Sequence, residues 1–138
     1  MNAIKYLFED VSFSPRNLPP KYKILDFIKN KKTKTDSVCF IFCSDDYLQK
    51  LNIKFLNHKD LTDVISFDYS EKTTIKGDVF ISVERVRENA KTYDVKFKEE
   101  LSRVIIHGIL HLAGYKDKKP EEKNMMRKLE NQFLKLVI

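Results

Sequence analysis

Apolar positions change their spacing several times along this chain, and each change marks an element. From Pro19 to Ile28 they recur at helical intervals behind two prolines that the first turn of a helix tolerates. Val38 to Cys43 is a nearly unbroken apolar run and reads as a buried strand, after which Ser44 or Asp45 can cap a helix through Leu48, Leu51 and Phe55. Asp63–Asp68 and Asp78–Ile81 are short, β-branched and aromatic, which predicts two strands joined as a hairpin across the polar stretch beginning at Ser70. Ser82 then caps a helix running towards Tyr93. A further helix starts near Lys96 with Phe97, Leu101, Val104 and Ile105 on its buried stripe, and Pro120 opens a last one with Met126, Leu129, Phe133 and Leu136 as its apolar face. Strand and helix alternating around a hairpin predict an α+β fold: one small domain over residues 1–138, with a mixed β-sheet covered by helices.

Length agrees with this, since 138 residues suffice for one core and no repeat or low-complexity linker divides them. No apolar run is long enough to span a bilayer, and the first residues lack a signal-peptide pattern, so a cytoplasmic protein without a membrane partner is expected. The net charge of +6 and a pI near 9.2 favour an anionic partner. Lys29 to Lys34 is the densest basic run and reads first as a solvated linker after a helix. Cys39 and Cys43 fall within the apolar strand, where four residues separate their α-carbons by roughly 13 Å, beyond disulfide reach. They read as buried, reduced thiols.

One segment carries chemistry: His107-Gly-Ile-Leu-His111-Leu-Ala-Gly114-Tyr-Lys-Asp117. Two His four residues apart share a helix face, so both imidazoles can reach one ion, and Gly114 can take the left-handed conformation that ends the helix and returns Asp117 to it. The metal site is thus expected at the end of a helix. Three protein ligands leave a fourth position open, the arrangement of a catalytic rather than a structural zinc; other divalent metals also accept two His and a carboxylate. His58 has no partner that the sequence identifies. The same His spacing occurs in zinc proteases, where the residue after the first His is the Glu that serves as general base. Here it is Gly108, which leaves a protease without its base.

The segment from His107 to Tyr115 resembles the signature of the YbeY family of bacterial rRNA maturation endoribonucleases. Leu51-Asn52 with Thr62-Asp-Val-Ile-Ser-Phe67, and Gly77-Asp-Val-Phe-Ile-Ser82, resemble two further blocks of that family, in the same order. The resemblance implies one Zn2+ per chain and cleavage of single-stranded RNA in rRNA maturation, at the 3′ end of 16S rRNA, and in ribosome quality control. It implies ribosomal subunits as partners. Asp117 stands where the family usually has a third His ligand, and Leu56 stands where it usually has an Arg thought to act on the substrate phosphate. Arg103 or Arg85 could replace that Arg, Asp63 is a candidate general acid or base, and Lys116, Lys118 and Lys119 flank the third ligand as candidate RNA contacts. The alternative is a ribosome-associated assembly factor whose metal is structural and whose nuclease activity is slight.

Overall fold

Between the first strand and the last helix, the chain lays down a mixed four-stranded sheet whose helices do unequal work on its two faces. The computed structural model describes residues 3–31, 34–57 and 62–138. Strands β1 (Ile4–Phe8), β2 (Lys34–Cys43), β3 (Val64–Asp68) and β4 (Thr74–Ser82) lie in the order β1-β2-β4-β3. β1 pairs parallel with β2 and β2 parallel with β4, while β3 and β4 form the expected antiparallel hairpin. The helices are α1 (Lys21–Lys29), α2 (Asp45–Leu51), α3 (Val83–Thr92), α4 (Phe97–Leu112) and α5 (Pro120–Val137). Ser44 and Ser82 cap α2 and α3 by accepting from Tyr47 N–H and Arg85 N–H, as their hydroxyls allow.

Alternation along the strands divides the core. Ile4, Val38, Phe40, Phe42, Ile75, Val79 and Ile81 face one side and meet Ile24 and Phe27 of α1, the buried stripe of α4, and Met126, Leu129 and Phe133 of α5. Cys43 and Ile65 face the other side and form a smaller cluster with Leu48 of α2, against which Tyr47, Leu51, Phe67 and Phe80 pack. Cys39, on this lesser-covered side, is half-buried, so the expectation of two buried thiols holds for Cys43 alone. Leu136 is exposed, whereas Leu134 is buried and Val137 packs on the core; counted from Met126, position 137 completes three turns and 136 falls off the stripe. Beyond α2 the chain continues as a π-helical segment, Asn52–Leu56, which leaves Phe55 exposed although the sequence pattern placed it on the inner face. The strand β1 was not anticipated. Of the basic run, Lys29 closes α1 and Lys34 opens β2, while Lys32 and Thr33 lie outside the described residues.

Helix α4 lies tightly on β4. A Cβ at Gly108 would stand 2.6 Å from Val79 Cγ1, and Val79 is itself fully buried and cannot retreat. No Glu fits at position 108 while α4 keeps this seat, so the base of a zinc protease is sterically unavailable. Gly108→Ala is expected to cost about 1–3 kcal/mol through overpacking, measured by denaturant unfolding, with the helix content unchanged in far-UV circular dichroism.

Candidate metal centre

Near its C-terminus α4 turns its sheet-facing residues inward and leaves His107 and His111, four apart, on the open side. The helix then stops abruptly. Gly114 takes φ +102, Gly114 N–H donates to His111 C=O at 3.0 Å, and Tyr115 N–H donates to Leu110 C=O at 3.0 Å, the paired bonds of a left-handed helix stop. Ser70, from the β3–β4 turn, donates its hydroxyl to Leu112 C=O at 3.2 Å and ties the helix end to the sheet. The reversed chain brings Asp117 back to the two rings.

His107 Nε2 lies 2.9 Å from His111 Nε2, and Asp117 Oδ2 lies 3.4 Å from each. A tetrahedral ion with ligand bonds of about 2.0–2.1 Å needs donor atoms roughly 3.3 Å apart. The two distances to Asp117 meet that requirement, the 2.9 Å between the imidazole nitrogens is shorter than it, and among the described residues this is the group of side chains that could hold a metal. His58 lies outside the described residues.

A residue that sequence reading missed fixes the ring of His107. Glu130 Oε2 lies 2.7 Å from His107 Nδ1, and because a carboxylate can only accept, the neutral ring carries its proton on Nδ1 and leaves a lone pair at Nε2 for an ion. Glu130 is buried on the inner face of α5 and is held in turn by Arg103, whose Nη1 donates to Glu130 Oε1 at 3.0 Å and to Asn131 Oδ1 at 3.2 Å. A Glu four residues after Met126, within an apolar stripe, was the available signal. Burial works against charge on His107, but the hydrogen bond and charge of Glu130, then Asp117 and Asp63, outweigh it and raise its pKa. His111 moves down, through burial and then the charge of His107. Burial also opposes the charge on Glu130, yet His107 and Arg103 hold its pKa below the ordinary value. Glu100, buried and 3.7 Å from Arg103 Nε, lacks comparable support and is pushed up to about 7 by burial.

The three donor groups border a cleft of about 930 Å3 walled by β3, the end of the π-helical segment and the loop after α4. Asp63 belongs to this wall: its C=O accepts from Ser82 N–H at 2.9 Å, which fixes the strand, while its carboxyl accepts weakly from Asn89 at 3.4 Å. Burial raises the pKa of that carboxyl, and the charge of Glu130 adds to the shift. Leu56 also lines the cleft. Arg103 is enclosed by its acids, and Arg85 is bound by Nε to Asp45 at 3.0 and 3.1 Å, outside the cavities around His107. Of the three lysines, Lys118 lines the cleft, Lys116 lines a separate hollow with Tyr115 and Met125, and Lys119 caps α5 through its backbone N–H to Glu122 Oε1 at 2.9 Å.

The chain matches the family model described as Endoribonuclease YbeY over residues 21–137. It is 50% identical over 105 residues to the Endoribonuclease YbeY of Flavobacterium johnsoniae, covering 76% of each chain. With that of Amoebophilus asiaticus it shares 44% identity over 136 residues, covering 95% of this chain and 90% of the relative. The solution structure of a Thermotoga maritima protein superposes with a TM-score of 0.70 at 29% identity, covering 96% of this chain and 87% of that one.

Two measurements check this arrangement. Glu130→Gln removes the charge behind His107 and is expected to weaken metal binding roughly tenfold or more in competition titration against a chromophoric chelator, whereas Asp117→Ala abolishes stoichiometric binding. Unchanged affinity in the first, or retained stoichiometric zinc in the second, would overturn the assigned contacts. Glu100 binds its proton more tightly folded, at about 7, than unfolded, at 4.5, so its contribution to stability is full below pH 4.5 and is lost as pH rises through 7. Glu100→Gln is therefore expected to stabilise the metal-stripped protein by up to about 3 kcal/mol at pH 8 and by much less at pH 5, read from urea midpoints.

Proposed function

The chain belongs to the Endoribonuclease YbeY family, and from that premise we propose that it is a zinc-dependent endoribonuclease acting on single-stranded RNA. Within the proposal, its cellular role is rRNA maturation at the 3′ end of 16S rRNA and ribosome quality control, with ribosomal subunits as partners and a cytoplasmic location. Among the described residues no helix is long and apolar enough to cross a membrane. The observation that carries the proposal is the convergence of His107, His111 and Asp117 at the edge of an open cleft with mixed polar and apolar walls, their donor atoms close enough together to share one ion.

In this reading His107 and His111 would hold the zinc through Nε2 and Asp117 through a carboxylate oxygen. When bound, the ion supplies Lewis acidity at a phosphodiester and lowers the pKa of water. Glu130 keeps the proton on His107 Nδ1 and so aims the ring. Asp63, whose carboxyl pKa is raised by burial, lines the cleft wall and would exchange a proton with a reacting oxygen, and Lys118, which lines the same space, would serve as a backbone contact.

Leu56 in the cleft wall favours the second reading, an assembly factor with a structural metal, because it puts an apolar side chain where the resemblance places a phosphate-binding Arg. A His111→Ala protein that folds and still binds ribosomal subunits while losing only cleavage supports the enzyme. The proposal predicts near-stoichiometric zinc by elemental analysis of protein purified without chelator, and single-strand RNA cleavage by the same sample that chelation abolishes. Zinc without cleavage moves the assignment to the assembly factor; protein without any metal removes the centre itself.

A further inference from the structure

His107 and Asp117 border space on two sides. On one side lies the large cleft along β3; on the other, against α5, lie two smaller hollows of about 290 and 340 Å3 that share Arg127 and Glu130 with those ligands. The large cleft and the 340 Å3 hollow meet at His107 and Asp117. A strand whose reacting phosphate sits at these residues continues in both directions, so one arm occupies the cleft and the other passes over α5.

The cations on that side are differently engaged. Arg103 is largely buried and held by Glu130, Asn131 and Glu100. Arg127 is 64% exposed, and its one ion pair among the described residues is a loose 3.9 Å approach to Glu130 Oε1, an oxygen that Arg103 already holds at 3.0 Å. Lys123 lines the 340 Å3 hollow and has no ion-pair partner among the described residues. Four residues apart on α5, Lys123 and Arg127 project from one helix face.

Resting on the endoribonuclease reading, we infer that Arg127 and Lys123 form a phosphate-binding subsite for the RNA strand on the α5 side of the metal centre. A planar guanidinium with most of its donors unused is suited to a phosphate, and the flexible ammonium one turn earlier can neutralise the same or the next one. This subsite restores, from α5, the positive charge that Leu56 does not supply.

The test is binding of a short single-stranded 2′-O-methyl RNA, which resists cleavage, to the zinc-loaded protein by fluorescence anisotropy across a salt series, together with cleavage of the unmodified strand. Arg127→Ala is expected to weaken binding roughly tenfold and to lower the slope of log affinity against log salt by about 0.7, with metal content unchanged. Arg127→Lys should restore most of the salt slope. Lys128→Ala removes an equal charge one residue further on, outside these hollows, and is expected to leave binding as it was. Cleavage by the unaltered protein, with equal binding and equal salt slope in Arg127→Ala, overturns the subsite while leaving the nuclease standing. Equal losses in Arg127→Ala and Lys128→Ala overturn it also, as general electrostatics. An unaltered protein that neither binds nor cleaves RNA removes the nuclease reading, and the subsite with it.

Discussion

The seat of α4 on the sheet is the constraint from which the rest follows. One helix has to fill the core with Leu101, Ile105, Ile109 and Leu112 and also present His107 and His111 to open space. Successive residues of a helix differ by about 100° in direction, so sliding or rotating α4 by one position would bury an imidazole and expose an aliphatic side chain. Gly108 sets that position by letting the helix backbone settle against Val79. The absence of a side chain there is therefore a packing requirement, and the same absence removes the base of protease chemistry. A single glycine both anchors the centre and narrows what it can do.

Rigidity at the centre comes from charge taken inside the protein. Glu130 and Glu100 are buried beside the partly buried Arg103, where an unpaired charge costs several kcal/mol, about what losing one partner of a buried pair costs. Burial is tolerated because the acids and the guanidinium satisfy each other and because His107 takes the remaining carboxylate oxygen. The set favours neither acid equally: Glu130, with two hydrogen-bonded partners, keeps its charge, and Glu100, with one distant partner, is the member that gives way. α5 is thus docked by Met126, Leu129 and Phe133 and kept in register by Glu130.

The sequence made the central segment legible because its chemistry is local. His107, His111, Gly114 and Asp117 lie within three helical turns, and helix geometry alone nearly determines that they meet. The two serine caps and the hairpin were legible for the same reason. Glu130 was not, since its partner is 23 residues away and only the packing of α5 on α4 brings them together. β1 was missed because five residues in which Lys5 interrupts the apolar run carry little signal, and their parallel partner β2 begins 30 residues later. Phe55 and Leu136 failed in the opposite way: an ideal helical period was extended past the point where the chain departs from it or where the stripe had already turned.

Two departures from the pattern that the sequence resembles are linked through charge. An ion of charge +2 held by three neutral imidazoles keeps +2; with Asp117 as one ligand it keeps +1. Leu56 in place of an Arg removes another positive charge from the cleft wall. With an ion held by these three residues the site would be two units less positive than the usual pattern, while an RNA strand carries one negative charge per nucleotide. Coulomb attraction between unit charges at 4 Å is worth about 4 kcal/mol in surroundings of intermediate dielectric, so a deficit of two charges is not negligible for binding a phosphate. Cations from other elements would then have to make up the difference. Those bordering the donor atoms are Lys118 on the cleft side and Lys123 and Arg127 on the α5 side. With an ion held in this way, neutralisation of a bound strand would be distributed around it, on the loop and helix that follow Asp117, so that the residue lowering the centre's charge would lead directly into the segment supplying the replacement.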